Sequence, residues 1–293
     1  MNKKIVYGSI LLLILLGLWI GFYYRASVLS LYNGLTDNAK QFQKTDLGDI
    51  VDQVKKEIFT PPPLNIGGRQ NQAVLTKAKV IAETNIQRYN HGLLPPLIEN
   101  AKLNAASKDK AEDMFKNQYF EHVSPPGLDP GTLVKNSGYE YIVSGENLIL
   151  GNFANEEEMV QNWMDSPGHR ANILNNRFTD IGVAVVKGVY QGETAWIGVQ
   201  EFGLPLSTCP SPSDAIKTEI EKSKIMLNQL LAQIEAKQAE IENTNQRSPR
   251  YAALVEEYNS LVGQYNQLAQ TIKNMANQYN AEVNNFNQCV EGH

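Results

Sequence analysis

Residues 162–185 read NWMDSPGHRANILNNRFTDIGVAV. Ser166-Pro167 marks a helix start, because a serine oxygen accepts from free amides there and the fixed φ of proline suits the first turn. Upstream, one helix ends with Trp163 on its core-facing stripe. Downstream, a second carries Gly168 and His169, with Ile173 and Leu174 as apolar contacts behind its polar face. Residues 180–186 and 194–202 are rich in Val, Ile, Trp and Gly, as strands with close turns are. Further upstream, Val74, Ala78, Ile81 and Ile86 recur at helical spacing, and His91-Gly92 with Pro95-Pro96 stops that segment. Leu103, Ala106, Ala111, Met114 and Phe115 mark another helix, so the middle of the chain is mixed α and β.

Three polar blocks lie among these elements: FEHVSP around His122, SGENL around Glu146 and the block around His169. They are too far apart for a local ligand motif, so any shared site is assembled by folding. Two imidazoles with waters can bind a divalent ion such as zinc, and a nearby carboxylate can then orient or deprotonate a water. The same three residues equally suit structural hydrogen bonding. Asn147 is placed to fix the loop that carries Glu146, and Tyr119 and Phe120 read as packing residues. Neither Ser124 nor Ser166 sits in a G-x-S-x-G elbow, and both read as caps or turns.

TNIQRYNHGLLPP at 84–96, YFEHVSP at 119–125, SGENLILG at 144–151 and the block at 162–185 occur in an order and spacing that resemble the CAP superfamily. Also called the SCP domain, it is matched here in its bacterial extracellular form, over about residues 75–203. The resemblance implies an α+β fold, a three-layer α-β-α sandwich, with an open cleft that joins two histidines to acidic residues. His122 and His169 match the cleft histidines, and Glu146 matches its first glutamate. Animal members often place a second glutamate three positions after the tryptophan; here that position is Ser166. Asp165 and Glu158 are the nearby carboxylates that would have to replace it.

After Cys209-Pro210-Ser211-Pro212 the composition turns to long Gln/Asn-rich helical periodicity. Ile220, Leu227, Ile234 and Ile241 repeat every heptad, as do Tyr251, Tyr258, Tyr265, Ile272, Tyr279 and Phe286, with Leu254, Leu261, Leu268 and Met275 as a companion row. A turn at Ser248-Pro249-Arg250 sets Ile220 opposite Tyr279, Leu227 opposite Ile272, Ile234 opposite Tyr265 and Ile241 opposite Tyr258. One residue out of that register, Cys209 meets Cys289, so an intrachain disulfide is expected at the open end of a long antiparallel α-helical hairpin. A bridge of this kind belongs to an oxidising compartment.

The chain therefore divides into a short inside N-terminus (1–4), a transmembrane anchor (5–24), a stalk and Pro-rich spacer (25–72), the CAP-like domain (73–205) and the hairpin (206–293). Ile5 to Tyr24 is an uncharged run whose helical length, about 30 Å, matches the hydrocarbon layer. With 31 acidic against 26 basic residues and no long Lys/Arg cluster, nucleic acid is excluded as a partner. The leading expectation is a membrane-anchored extracytoplasmic binding module, its cleft bearing zinc on His122 and His169. The resemblance allows an envelope protein, lipid or glycan as ligand, and the hairpin a homo-oligomer. Two other functions compete: a zinc-assisted hydrolase with Glu146 as general base, and a structural protein acting through its coiled-coil hairpin.

Overall fold

The computed structural model describes residue 47, residues 56–68 and residues 73–292. The elements run β1 (Glu57–Phe59), β2 (Leu64–Gly67), α1 (Lys77–Asn90), β3 (Ile98–Glu99), α2 (Ala101–Asn117), α3 (Pro130–Asn136), β4 (Tyr141–Gly151), α4 (Glu156–Asp165), α5 (Pro167–Ile173), β5 (Asp180–Tyr190), β6 (Glu193–Pro205), a 3-10 turn, α6 (Asp214–Glu242) and α7 (Pro249–Glu291). The expected span at 5–24 lies outside the described residues. Among the described residues, no helix is long and apolar enough to cross a membrane.

Residues 50–211 and 285–293 form one unit and 212–284 belong to the other. The first is built on a sheet ordered β1-β4-β6-β5-β3, with β2 also on β4. β4, β6 and β5 are antiparallel neighbours, whereas β1 and β2 run parallel to β4. β5 and β6 are joined through Gln191 and Gly192, whose φ values of 50° and 87° form the left-handed corner a two-residue hairpin needs. Strand alternation then sorts the core into two layers. Leu148, Leu150, Ile197 and Val199 pack with Ala111 and Met114 of α2. Val143, Ile149 and Phe202 pack with α1, α4 and α5 through Val80, Ile81, Met159, Trp163 and Ile173. This is the three-layer α-β-α sandwich, and Gly182 shows how close its layers come: a Cβ there would lie 2.1 Å from the Leu103 backbone of α2.

Two readings of this region change. SGENL is no loop but the middle of β4, in which every residue is buried. Residues 57–67, expected as stalk and spacer, are the two strands on its outer edge. The stripe of α1 also shifts, since Val74 and Ile86 are exposed and the buried residues are Val80, Ile81, Thr84 and Arg88. Arg88 holds its turn of the fold by donating to the carbonyls of Pro95, Ile173 and Asn175.

In the second unit, Ile220, Leu227, Ile234 and Ile241 of α6 share one core with Tyr258, Tyr265, Ile272 and Tyr279 of α7. The antiparallel sense is fixed by Lys237 Nζ on Glu257 at 2.8 Å and by the Ser213 amide on Glu282 at 2.9 Å. The companion row departs from the expected one beyond Leu254, which is buried. Val262, Ala269, Ala276 and Val283 are buried, while Leu261, Leu268 and Met275 are only partly so. Bulky tyrosines fill the seam and small residues one turn on lie beside them. Cys209 and Cys289 are bonded, with their Cα atoms 5.8 Å apart.

Candidate functional site

The site forms where the outer edge of β4 changes partner. β1 reaches only to Gly145 and β2 begins only at Ile149. Between them the chain crosses Thr60-Pro61-Pro62-Pro63, whose prolines have no amide to continue a ladder. It arches over Glu146, Asn147 and Leu148 instead.

Beneath that arch, His122 Nδ1 lies 2.6 Å from Glu146 Oε1 and its Nε2 lies 2.5 Å from the Pro61 carbonyl oxygen. The Pro61 carbonyl can only accept, so Nε2 donates to it, and the other ring nitrogen shares a hydrogen with the Glu146 carboxyl. Glu146 is wholly buried and sits directly across the β4–β6 ladder from Glu201, also wholly buried. Glu146 Oε2 and both Glu201 oxygens are buried without a donor. A proton on Glu201 supplies one, and burial first, then the charge of Glu146, pushes the Glu201 carboxyl well above the usual carboxylate range. Lys110 of α2 closes the layer. Its buried Nζ donates to the His122 carbonyl at 2.6 Å, and burial lowers its pKa against the pull of Glu146 and Glu201.

His169 arrives from the other side of β4. Its Nδ1 is 2.7 Å from Ser166 Oγ, while Nε2 is buried with no well-formed hydrogen bond. Burial and then the neighbouring His122 bring it down to about 4, with the Leu148 backbone pulling the other way, so this imidazole is neutral at neutral pH. A network fixes the α5 side of the edge. Asn147 Nδ2 donates to the His169 carbonyl and to Gln200 Oε1, and Asn172 Nδ2 donates to Asn147 Oδ1 and to the Phe59 carbonyl at 3.1 Å. Gln200 in turn donates to Thr84 of α1.

The three expected site residues therefore meet unequally: His122 and Glu146 touch, and His169 feels His122 electrostatically without a hydrogen bond to either. Glu158 accepts from the Ala154 amide and Asp165 from Gln161; the second carboxyl beside Glu146 is that of Glu201. Ser166 caps no amide with its side chain and holds His169 instead. Arg170 donates to the Met164 carbonyl. Pro61 lies at this site, its carbonyl on His122 Nε2 and its ring against Gly168.

As the ring is placed, both His122 nitrogens are taken up by oxygen partners, and among the described residues no three His, Cys, Asp or Glu side chains are grouped to hold an ion.

Residues 81–202 match the family model of CAP, the cysteine-rich secretory protein family. Over that stretch the chain is similar to bacterial CAP/SCP-domain proteins. Over 170 residues it is 37% identical to the Bacillus subtilis (strain 168) protein YkwD, covering 57% of this chain and 63% of that one. Over 153 residues it is 29% identical to the membrane protein YlbC of the same strain, covering 52% of this chain and 43% of that one. The chain thus spans less than two thirds of either relative. Among solved structures it overlaps an extracellular SCP-domain protein from Bacillus anthracis str. Ames at 30% identity and TM-score 0.37, over 43% of this chain and 39% of that one. It also overlaps an outer surface protein of Borrelia burgdorferi at 20% identity and TM-score 0.37, over 44% of this chain and 91% of that one.

Proposed function

We propose that the chain works on the outer side of a membrane, anchored by residues 5–24, as a binding module whose cleft grips a ligand without cutting it. One observation carries this reading: His122 is clamped between a buried carboxylate and a main-chain carbonyl. An imidazole held by Glu146 is a preorganised donor for a carbonyl oxygen. Of the protein, lipid and glycan ligands that the family resemblance allows, a protein main chain matches that donor. The Cys209–Cys289 bond supports an oxidising location. The hairpin of α6 and α7 positions the module or joins a second copy.

The hydrolase reading needs Glu146 free to take a proton from water, and its Oε1 is engaged by His122 while the residue is sealed from solvent. The two readings separate when the full chain, in detergent, is incubated with cell-envelope peptides and esters, with and without added zinc. Retention of a ligand with no product formed is the expected result. Metal-dependent turnover that disappears in Glu146→Gln while the metal stays bound would establish the hydrolase instead.

A further inference from the structure

We infer that the outer edge of β4 is a receptor for an extended, proline-bearing polypeptide strand, and that residues 57–67 occupy it as an intramolecular copy of that ligand. The inference rests on the binding reading above and names its ligand class. β1 and β2 are held to β4 by parallel main-chain pairing, at Glu57–Phe59 on Val143–Gly145 and at Leu64–Gly67 on Ile149–Gly151. Three further contacts also read main chain alone: Asn172 Nδ2 donates to the Phe59 carbonyl, His122 Nε2 to the Pro61 carbonyl and the Asn152 amide to the Gly67 carbonyl. These are the marks of strand addition to a sheet edge, where backbone hydrogen bonds supply the hold and side chains the selection.

The side chains of the segment make only partial contacts. None of residues 56–68 is fully buried, whereas every residue of β4 is. Leu64 and Ile66 are half-buried against the sandwich core, Phe59 meets Phe178 edge-on and Glu57 pairs with Arg177. The prolines add a selection of their own. The Pro61 ring lies against Gly168, where an added Cβ would approach the Pro61 Cβ to 2.7 Å, so the glycine makes room for a ring. Prolines also bring no amide to the stretch of edge between the two short ladders, where the site side chains take over. A strand with fully buried anchors would be a fixed part of the fold; one held mainly by backbone at an edge, with side chains only half-buried, is exchangeable for another of the same kind.

The test uses the full chain with a protease site inserted between Gly68 and Ala73, and a dye-labelled peptide of residues 56–68, KEIFTPPPLNIGG. After cleavage and removal of the N-terminal piece, confirmed by intact mass, fluorescence anisotropy should show saturable peptide binding at least tenfold tighter than to the uncut chain. Replacing the three prolines of the peptide with alanine should weaken binding tenfold or more, a change that leaves the folding of the receptor untouched. His122→Gln should do the same from the receptor side. Dimers of the uncut chain that dissolve on adding peptide would identify a second copy as the source of the strand. Release of the N-terminal piece only when the rest of the chain unfolds would overturn the inference, as would equal binding to cut and uncut chain or none to the released one. Cleavage of the bound peptide would instead overturn the no-turnover reading and leave the ligand class standing. Retention of another envelope ligand, with the peptide ignored, would do the reverse.

Discussion

Glu201 and Glu146 face each other across two central strands, and their proton balance makes the cleft measurable by pH. Glu201 keeps its proton in the fold where an unfolded chain loses it near 4.5. Its contribution to stability is therefore complete below that value and declines as pH rises toward the folded pKa. Glu201→Gln keeps a donor of similar size and removes the titration. Its stability relative to the parent should rise as pH climbs above about 4.5 toward the folded pKa, by at most about 1.4 kcal/mol per pH unit. Urea unfolding across that range checks it, and a pH-independent difference would end the proton-sharing assignment. His169 has the opposite sign. Its pKa drops from 6.5 to about 4 on folding, so the stability it contributes is complete above 6.5 and lost as pH falls to about 4. His169→Gln should flatten the acid limb in that window. At this scale His122, Glu146 and His169 are legible because each sits in a distinctive local block. Glu201 is not, for nothing in VQEFG marks a glutamate as special; only the β4–β6 register sets it against Glu146. Lys110 is hidden likewise, as one lysine among several on α2.

At the scale of elements, sequence pattern serves best where burial is one-sided. The seam of α6 and the tyrosine row of α7 are readable because a helix with one apolar face repeats every heptad. β4 escapes because it is buried on both faces while carrying Ser144, Glu146 and Asn147 inside, so neither alternation nor an apolar run announces it. β1 and β2 escape because they are short, bury no side chain fully and are defined by backbone pairing. The position of α1 is legible but its inward face is not, since Arg88 is a core residue there. Arg88→Leu should leave three carbonyls without their donor and cost about 3 kcal/mol, read from urea unfolding. A loss below about 1 kcal/mol would mean that water replaces the guanidinium. In the hairpin, Tyr265→Ala should cost about 3–5 kcal/mol and Leu268→Ala clearly less, as their burial predicts. Thermal unfolding followed by circular dichroism at the helical band distinguishes them, and equal losses would restore the leucine row to the seam.

For the whole molecule, the bond between Cys209 and Cys289 closes a span of 80 residues. Loop entropy assigns such a closure about 4.5 kcal/mol. Reduction, or Cys289→Ser, should lower the unfolding midpoint accordingly, and an unchanged midpoint would show that packing of Phe286 and Val290 in the sandwich core already does the same job. The short gap between the two cysteine backbones also means that the chain departs from and comes back to almost one point. Everything between them is, in topological language, an excursion: a few-residue bridge could take its place, and a single nick anywhere along it would leave both pieces covalently one molecule until a reductant is added.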